Sequence, residues 1–587
     1  MLVIPSPWLG QGTYIDENAL QPGQVQTYWN WADVHQADTY LAALENLRDK
    51  NATSNEIAQY IIDEFEKIGI PARTQQYSFT TATGVNLNGT NAYAVLSSPR
   101  ASGTEAIVIS ASWISRSGEG DGTLNLRGVS TVLALAGFLK NYSLWAKDLI
   151  FVVSDGYLDG MQAWITTYHG VSQPNLRADP LALSSGVIWT ALNIDYPGHS
   201  FSHLGVFFEG LNGRLPNQDL LNSFGVISRH TGNVPVLVYD HLDPREFPGR
   251  EHELTNIPAW IPDLIKEYDG VKEYAARAKN IVRHVNYQAR GTASGVHGLL
   301  HQFRIDAITL FAVPAPGPHG FHAIGRVVES TLRTTNNLLE RLHASFFFFL
   351  LVGPTTFMKI GSYLPSAIII STAMMFGGLG EWVNAGWTLA TGSVETTDQK
   401  KGHASSEGKW TRRHRPMLVP IAIMISTHLA GIMLFFVISR SWYAAHQIAY
   451  SAVLFSVISA VPPLILMTST SSSTHAPLPT LLKSLNLCLA STVISITSVL
   501  NFSLAATLAV VLGLPLSFAS SARTFPTRLA IYGGYITLGF GWLLLCQEEM
   551  RNAIWNWEVL GVWFAPFVCI VYTPLVLQAA LVCLLPP

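Results

Sequence analysis

Residues 417–439 read MLVPIAIMISTHLAGIMLFFVIS, with no Asp, Glu, Lys or Arg among them. A helix crosses the hydrocarbon core of a bilayer with about 20 apolar residues, so this run predicts a membrane span. Working outward, similar runs occur at 361–382, 448–468, 482–500, 503–519, 529–547 and 560–585. The apolar stretch 482–519 is too long for one span, and Asn501-Phe502-Ser503 is the expected break. A buried helix of a water-soluble protein would explain one such run, but not seven. The short segment Phe346–Met358 is expected to lie in the interface or to lead into the first span.

The composition changes near Leu342. The whole chain of 587 residues is 49% hydrophobic and 13% charged, against about 25% charged in an ordinary soluble protein. Most of the charge lies before that point. The expectation is therefore two parts, a globular domain at 1–345 and a helical membrane bundle at 346–587. The net charge of −3 points to neither nucleic acid nor an acidic partner. All four cysteines, Cys488, Cys546, Cys569 and Cys583, fall in the apolar part. The front domain thus relies on a hydrophobic core, without disulfides or zinc-finger spacing. Met1–Gly12 is too short and too poor in basic residues for a signal peptide.

Basic residues set orientation. Lys400, Lys401, Lys409, Arg412, Arg413 and Arg415 lie between the first two predicted spans, which predicts a cytosolic loop. Alternation brings Lys483, Arg523 and Arg528 to the same side. The acidic loop Glu548–Glu558 then falls on the far side, together with the front domain. Three sequons in that domain, at Asn51, Asn88 and Asn141, agree with a glycosylating compartment.

The front domain reads as alternating strands and helices. Glu105–Trp113, Asp148–Val153, Val187–Ile194 and Ile305–Val313 are apolar runs of the buried-strand type. Glu56–Gly69, Gly128–Leu139, Leu158–His169 and Leu264–Val285 have helical spacing. The alternation predicts an α/β domain with a mainly parallel sheet flanked by helices. No glycine-rich phosphate loop follows a strand, and no Gly-x-Ser-x-Gly elbow is present.

Several stretches resemble the anchor-attachment subunit family of the GPI transamidase. They are residues 13–19 (TYIDENA), 145–153 (WAKDLIFVV), 209–217 (EGLNGRLPN) with Asp219-Leu-Leu221, 295–298 (GVHG) and 337–343 (NLLERLH). The multi-span C-terminal half matches as well. The resemblance implies a non-catalytic subunit in the endoplasmic reticulum membrane, with its large domain luminal. It would bind GPI and present it to a complex that replaces a C-terminal signal peptide of a proprotein with the lipid anchor. The implied partners are other transamidase subunits, among them a caspase-like cysteine protease subunit that carries the cleaving thiol. The family also implies a membrane span ahead of Thr13, which Met1–Gly12 does not supply.

The family's luminal domain in turn resembles co-catalytic zinc aminopeptidases, whose two zinc ions polarise the carbonyl and activate water. Matching the ligands residue by residue puts Ser112 where the first His belongs and Leu124 where the bridging Asp belongs. Ser154-Asp155 stands in place of Glu-Glu, while Asp195 and His297 match. Leucine cannot bind zinc and serine is a poor ligand. The expectation is no catalytic residue, no cofactor and no working metal site, with Asp155, Asp195 and His297 as relicts. The competing reading is a membrane-tethered zinc metallopeptidase or a peptide-bond-forming metalloenzyme. A third is a scaffold without lipid contact.

Tyr14 and Asp16 open the domain, and His343 and Ser345 close it. Both ends must return to the membrane, so these four are the predicted GPI-binding residues. His343 would donate to phosphate, Asp16 would accept from an amine, and the hydroxyls of Tyr14 and Ser345 would serve either. The rest of the lipid would need a groove between spans. Gly533-Gly534 and the pair Gly539 and Gly541 are candidate faces for close backbone approach.

Overall fold

The computed structural model describes residues 1–16, 26–82, 86–100, 102–116, 123–142, 144–243, 257–258, 260–342, 348–390, 409–466, 475–522 and 524–586. The chain forms two compact units. One is Met1–Tyr363 with Glu558–Val562, and the other is Leu364–Trp557 with Trp563–Pro587.

The front unit is built on a nine-stranded sheet. In chain order its strands follow a short N-terminal strand β1 (Gln11–Gly12). They are β2 (Ala72–Thr80), β3 (Asn86–Leu96), β4 (Glu105–Ser112), β5 (Asp148–Ser154), β6 (Leu176–Ala178), β7 (Val187–Asp195), β8 (Phe201–Phe207), β9 (Val236–Leu237) and β10 (Asp306–Pro314). The order across the sheet is β6-β2-β3-β5-β4-β7-β10-β8-β9. The central strands β5, β4, β7 and β10 run parallel. Antiparallel pairings flank them, β3 on β5 and β8 on β10. The central strands are buried on both faces, as continuous apolar runs require.

Local chemistry starts and stops the helices. Thr53 and Glu56 form a capping box on Ser54–Ile68, and Gly69 ends it in the left-handed region at φ 79°. Asn125 caps Leu126–Lys140 by accepting from Gly128 N. The predicted helix Leu264–Val285 is two helices, Asp263–Lys266 and Asp269–Arg290. Tyr268 is extended (ψ 120°) and starts the second, where Asp269-Gly270 propagates a helix poorly.

The segment Phe346–Met358 leads into the first long apolar helix by way of two strands; Phe346 and Phe347 lie outside the described residues. From Phe349 on, it forms β11 (Phe349–Gly353) and β12 (Thr356–Lys359), a hairpin that pairs with β1 to make a separate three-stranded sheet. Phe349, Leu350, Leu351 and Val352 are all buried. Gly353-Pro354 provides the turn that a short apolar run of this kind calls for.

In the second unit, five helices among the described residues are long and apolar enough to cross a membrane. They are Ile360–Ala385, Leu418–Ile438, Gln447–Ile465, Leu478–Leu500 and Phe564–Leu584. The other two expected spans are shorter helices, Phe502–Phe518 of 17 residues and Phe525–Phe540 of 16. Asn501 breaks the long apolar stretch as expected, and its side chain caps the following helix at Leu504 N. Gly533 and Gly534 do not serve close approach within the chain, since a Cβ at either would meet open space. The close approaches occur elsewhere. At Gly431 a Cβ would run into the Cys569 carbonyl oxygen, and at Gly378 it would fall 2.8 Å from Cys488 Sγ. Gly539 is intermediate, 3.0 Å from Val576. Trp387–Ala390 and Lys409–Arg412 pair as an antiparallel hairpin. Lys400, Lys401 and Arg523 lie outside the described residues.

Candidate functional site at the strand ends of the front domain

Parallel strands carry their chemistry at their C-terminal ends. Here β4 ends at Ser112, β5 at Ser154 and β7 at Asp195. Asn125 joins two of these ends. Its amide donates to Ser112 O (3.0 Å) and Ile194 O (2.9 Å), and its carbonyl oxygen accepts from Tyr196 N (2.7 Å). Leu124 sits in an isolated bridge with Ile114.

Each predicted relict is engaged by the protein itself. Asp195 is fully buried; it accepts from the Ser115 hydroxyl (2.6 Å) and from Arg116 N (2.8 Å). Burial pushes its carboxyl up to about 6 against these bonds. His297 is also fully buried, and both ring nitrogens are used. Nε2–H donates to Glu209 O (3.2 Å), so Nδ1 accepts from the Thr309 hydroxyl (2.8 Å). Burial holds His297 well below the usual histidine range. Asp155 belongs to a different cluster. It accepts from the Ser54 hydroxyl, from Thr90 N (3.1 Å) and from Gly156 N (2.9 Å). The Ser112 hydroxyl donates to Ile114 O (2.8 Å). Among the described residues no group of three or more His, Cys, Asp or Glu stands close enough to hold a metal ion. The donor set does not fit a dinuclear zinc centre, which needs a bridging carboxylate and free imidazole nitrogen.

A buried ionic network next to these residues was not foreseen. Glu209 is fully buried and pairs with Arg283 and with His284 Nδ1 (3.3 Å). Burial alone would raise its carboxyl, but Arg283, His284 and Ser294 outweigh it and hold Glu209 below the usual range. Arg283 continues to Asp240 (3.1 Å), which also pairs with Arg116. Arg116 donates to Ser294 O (2.7 Å) and the Tyr287 hydroxyl (2.9 Å), and lies 3.7 Å over the Phe207 ring. Arg116 thus links the Asp195 side of the site to the His297 side. The stretch 209–217 was visible in the sequence, but the partner of Glu209 lies 74 residues away. In the same stretch Asn212 (φ 56°) and Gly213 (φ 79°) make a left-handed turn. Asn217 then caps Gln218–Ile227.

At the domain's opening, Tyr14 is 43% exposed. Its ring stands 6.3 Å from that of Phe357 on β12, and its carbonyl accepts from Asn222 (2.7 Å). Asp16 is exposed, and its backbone N–H donates to Asp219 (3.1 Å). His343 and Ser345 lie outside the described residues. Asn51, Asn88 and Asn141 are all exposed; Ser143, the hydroxyl residue of the third sequon, lies outside the described residues.

The family model described as "Gaa1-like, GPI transamidase component" matches residues 88–580, most of both units. The chain belongs to the Gaa1-like family. It is accordingly a component of the GPI transamidase. It is similar to the GPI transamidase component gaa1 of Schizosaccharomyces pombe, 26% identical over 97% of this chain and 89% of that one. It is also similar to GAA1 of Saccharomyces cerevisiae, 29% identical over 65% of this chain and 55% of the yeast protein. Two solved structures resemble it over about half its length. Fimbriiglobus ruber glutaminyl cyclase is 12% identical with a TM-score of 0.32, covering 54% of this chain and 99% of that one. The Legionella pneumophila LapA aminopeptidase is 12% identical with a TM-score of 0.32, covering 56% and 79%. The fold of this Gaa1-like chain therefore rests on its own strand order and not on these likenesses.

Proposed function

We propose that this Gaa1-like subunit performs no bond chemistry itself, and that it holds the GPI lipid for attachment by a caspase-like cysteine protease subunit. In this reading the GPI amine attacks an acyl-enzyme formed on that partner, and this chain contributes positioning, a large part of any two-substrate reaction. The observation that carries the reading is the saturation of the old ligand positions. Asp195, His297 and Ser112 spend their polar atoms on protein partners. Leu124 stands at the position that the resemblance to zinc aminopeptidases gives to the bridging carboxylate. All four thiols lie in the helical unit, which leaves the front domain no cysteine nucleophile.

The same reading makes the front domain luminal in the endoplasmic reticulum, with glycans on Asn51, Asn88 and Asn141. Glu558–Val562, the end of the acidic loop before the last span, is part of the front unit. That supports one side of the membrane for both. Tyr14, Asp16, His343 and Ser345 are the residues assigned to the GPI headgroup. The pairing of β1 with β12 supports this, because it joins the domain's first residues to the strand that leads into helix Ile360–Ala385.

Two variants test the reading in the assembled complex. Asp195→Asn should retain attachment of a GPI-anchored reporter; loss of attachment in stable, assembled protein, with stoichiometric zinc in the wild type, would instead establish a metalloenzyme. Asp16→Ala combined with His343→Ala should lower crosslinking to a photoreactive GPI analogue while partner subunits still co-purify. Losing a hydrogen bond to a charged group costs about 1.5–3 kcal/mol, roughly tenfold or more in affinity. Unchanged crosslinking would move the lipid site elsewhere.

A further inference from the structure

At the β6 edge of the large sheet one face is open. Between it and the start of helix Ser54–Ile68 lies a cleft of about 490 Å³. Strand register lays out its floor. Ser78 on β2 pairs with Asn88 on β3 and with Arg177 on β6. Directly opposed residues share a face, so these three side chains form one row across three antiparallel strands. Gln76, two residues back on the same face, pairs with Thr90. Asp179 completes this second row, its N–H donating to Gln76 O (2.9 Å). Neighbouring strands lie about 4.8 Å apart, so each row spans roughly 10 Å.

The chemistry of the cleft is polar and balanced in charge. The Thr90 hydroxyl donates to Asn55 Oδ1 (2.5 Å), and the Ser54 hydroxyl to Asp155. Among the described residues, no hydrogen bond takes up the side chains of Gln76, Ser78, Asn88 or Arg177. Gln76, Asn88, Arg177 and Asp179 are exposed. An amide, a hydroxyl, a guanidinium and a carboxylate thus stand side by side, with the charges of Arg177 and Asp179 offsetting each other. Such a set suits a neutral ligand rich in hydroxyls, which both donate and accept. It suits an anion or an apolar group poorly. Asn88 is also the acceptor of the sequon Asn88-Gly89-Thr90, and it lines the cleft.

We propose that the cleft seats this chain's own N-linked glycan, carried on Asn88. Asn88 Nδ2 gives up a proton and bonds to the anomeric carbon of an oligosaccharide, whose lipid-pyrophosphate carrier leaves. The first sugars then run along the row, over Ser78 toward Arg177, and bridge the three strands at this end of the sheet. A tethered ligand has a high effective concentration, so individually weak hydrogen bonds suffice to hold it. The proposal rests on the luminal placement of the front domain, and the experiment separates the two.

The full chain is made in a eukaryotic host that leaves N-glycans rich in mannose. Asn51→Gln with Asn141→Gln leaves Asn88 as the one sequon of the front domain. Endoglycosidase H cuts between the first two sugars. It should act several-fold more slowly on the folded chain than on the proteolytic glycopeptide that carries Asn88. Gln76→Ala with Arg177→Ala should raise the folded-chain rate several-fold, toward that of the peptide. In a chain that keeps Asn141 alone, the same double change should leave the rate where it was. A folded-chain rate equal to the peptide's, a rate unmoved by the double change, or a rise at both sites overturns the proposal. An unmodified Asn88 overturns it too. Glycans on Asn51 or Asn141 of the wild-type chain would then keep the luminal placement, whereas bare asparagines at every sequon would remove that placement as well.

Discussion

The two units solve one problem by different means. Each must find partners for the polar groups that it buries. The front unit buries full charges and pairs them, with Glu209, Arg283, Asp240 and Arg116 in one chain of contacts. The helical unit buries neutral groups and ties many of them to backbone carbonyls. Ser484 donates to Gly378 O, Asn486 to Leu575 O, Ser491 to Ser371 O and Gln578 to Thr427 Oγ1. Its ion pair Lys483–Glu381 keeps some exposure on both partners. One contact shows how such carbonyls come free. Pro574 has no N–H for Ile570 O, four residues back, and His428 Nδ1 supplies one at 2.9 Å. The difference follows from the solvent around each unit. A paired charge inside a protein that folds in water can be tolerated, whereas an ion facing hydrocarbon finds nothing to compensate it.

The largest expected effect breaks the charged network. Arg283→Met leaves Glu209 buried without its main partner and should destabilise the front domain by about 3–5 kcal/mol. Adding Glu209→Gln should recover part of that loss. Thermal unfolding of the solubilised chain measures both, and additive losses would show that the two residues act independently. A smaller effect comes from pH. Burial pushes the Asp195 carboxyl up to about 6 in the folded domain, against 3.8 for an ordinary aspartate. Its contribution is thus fully present below about pH 4 and is lost as pH rises through 6, about 3 kcal/mol in all. Asp195→Asn should remove this slope, so the variant gains stability relative to wild type between pH 4 and 7. Parallel stability curves would place the titration elsewhere. The smallest effect lies in the helical unit. Gly431→Ala pushes a methyl against the Cys569 carbonyl and Pro574, which should cost about 1–3 kcal/mol, read as a lower midpoint in detergent.

The same contrast explains what could be read from the sequence. Continuous apolar runs gave the central strands and the long spans, because burial on all sides leaves no polar alternation to confuse them. The antiparallel pair β2 and β3 was harder. Residues 74–78 read TQQYS, a polar stretch, yet Gln75 is buried and donates to Thr167 Oγ1 (3.0 Å) and Asp179 O (3.2 Å). No local pattern announces partners that lie about a hundred residues on. The candidate ligand positions could be placed only through the family resemblance: Asp155 and Asp195 fall at strand ends, whereas His297 opens the short helix His297–Leu300. The Glu209–Arg283 network was not legible, since a charge in sequence looks the same whether it faces water or another charge. The runs at 503–519 and 529–547 had the composition of spans, but Thr524 and Gly541 cut the second to a shorter helix.

The segment Glu558–Val562 carries a consequence for biosynthesis. Glu558 accepts from Ala82 N (2.9 Å), and its carbonyl accepts from Gln173 (3.0 Å) and Asn175 (2.9 Å), while Asn212 reaches Gly561 O (3.2 Å). Val559, Leu560 and Val562 are almost wholly buried. These bonds close the front unit with residues made nearly 200 positions after Tyr363. At about 5–20 residues per second of synthesis, the ribosome takes roughly 10–40 s to reach them. Until then Ala82 N and the side-chain amides of Gln173, Asn175 and Asn212 lack these partners. The front unit therefore cannot be completed before the helices between Leu364 and Trp557 have been made, although most of it is translated first.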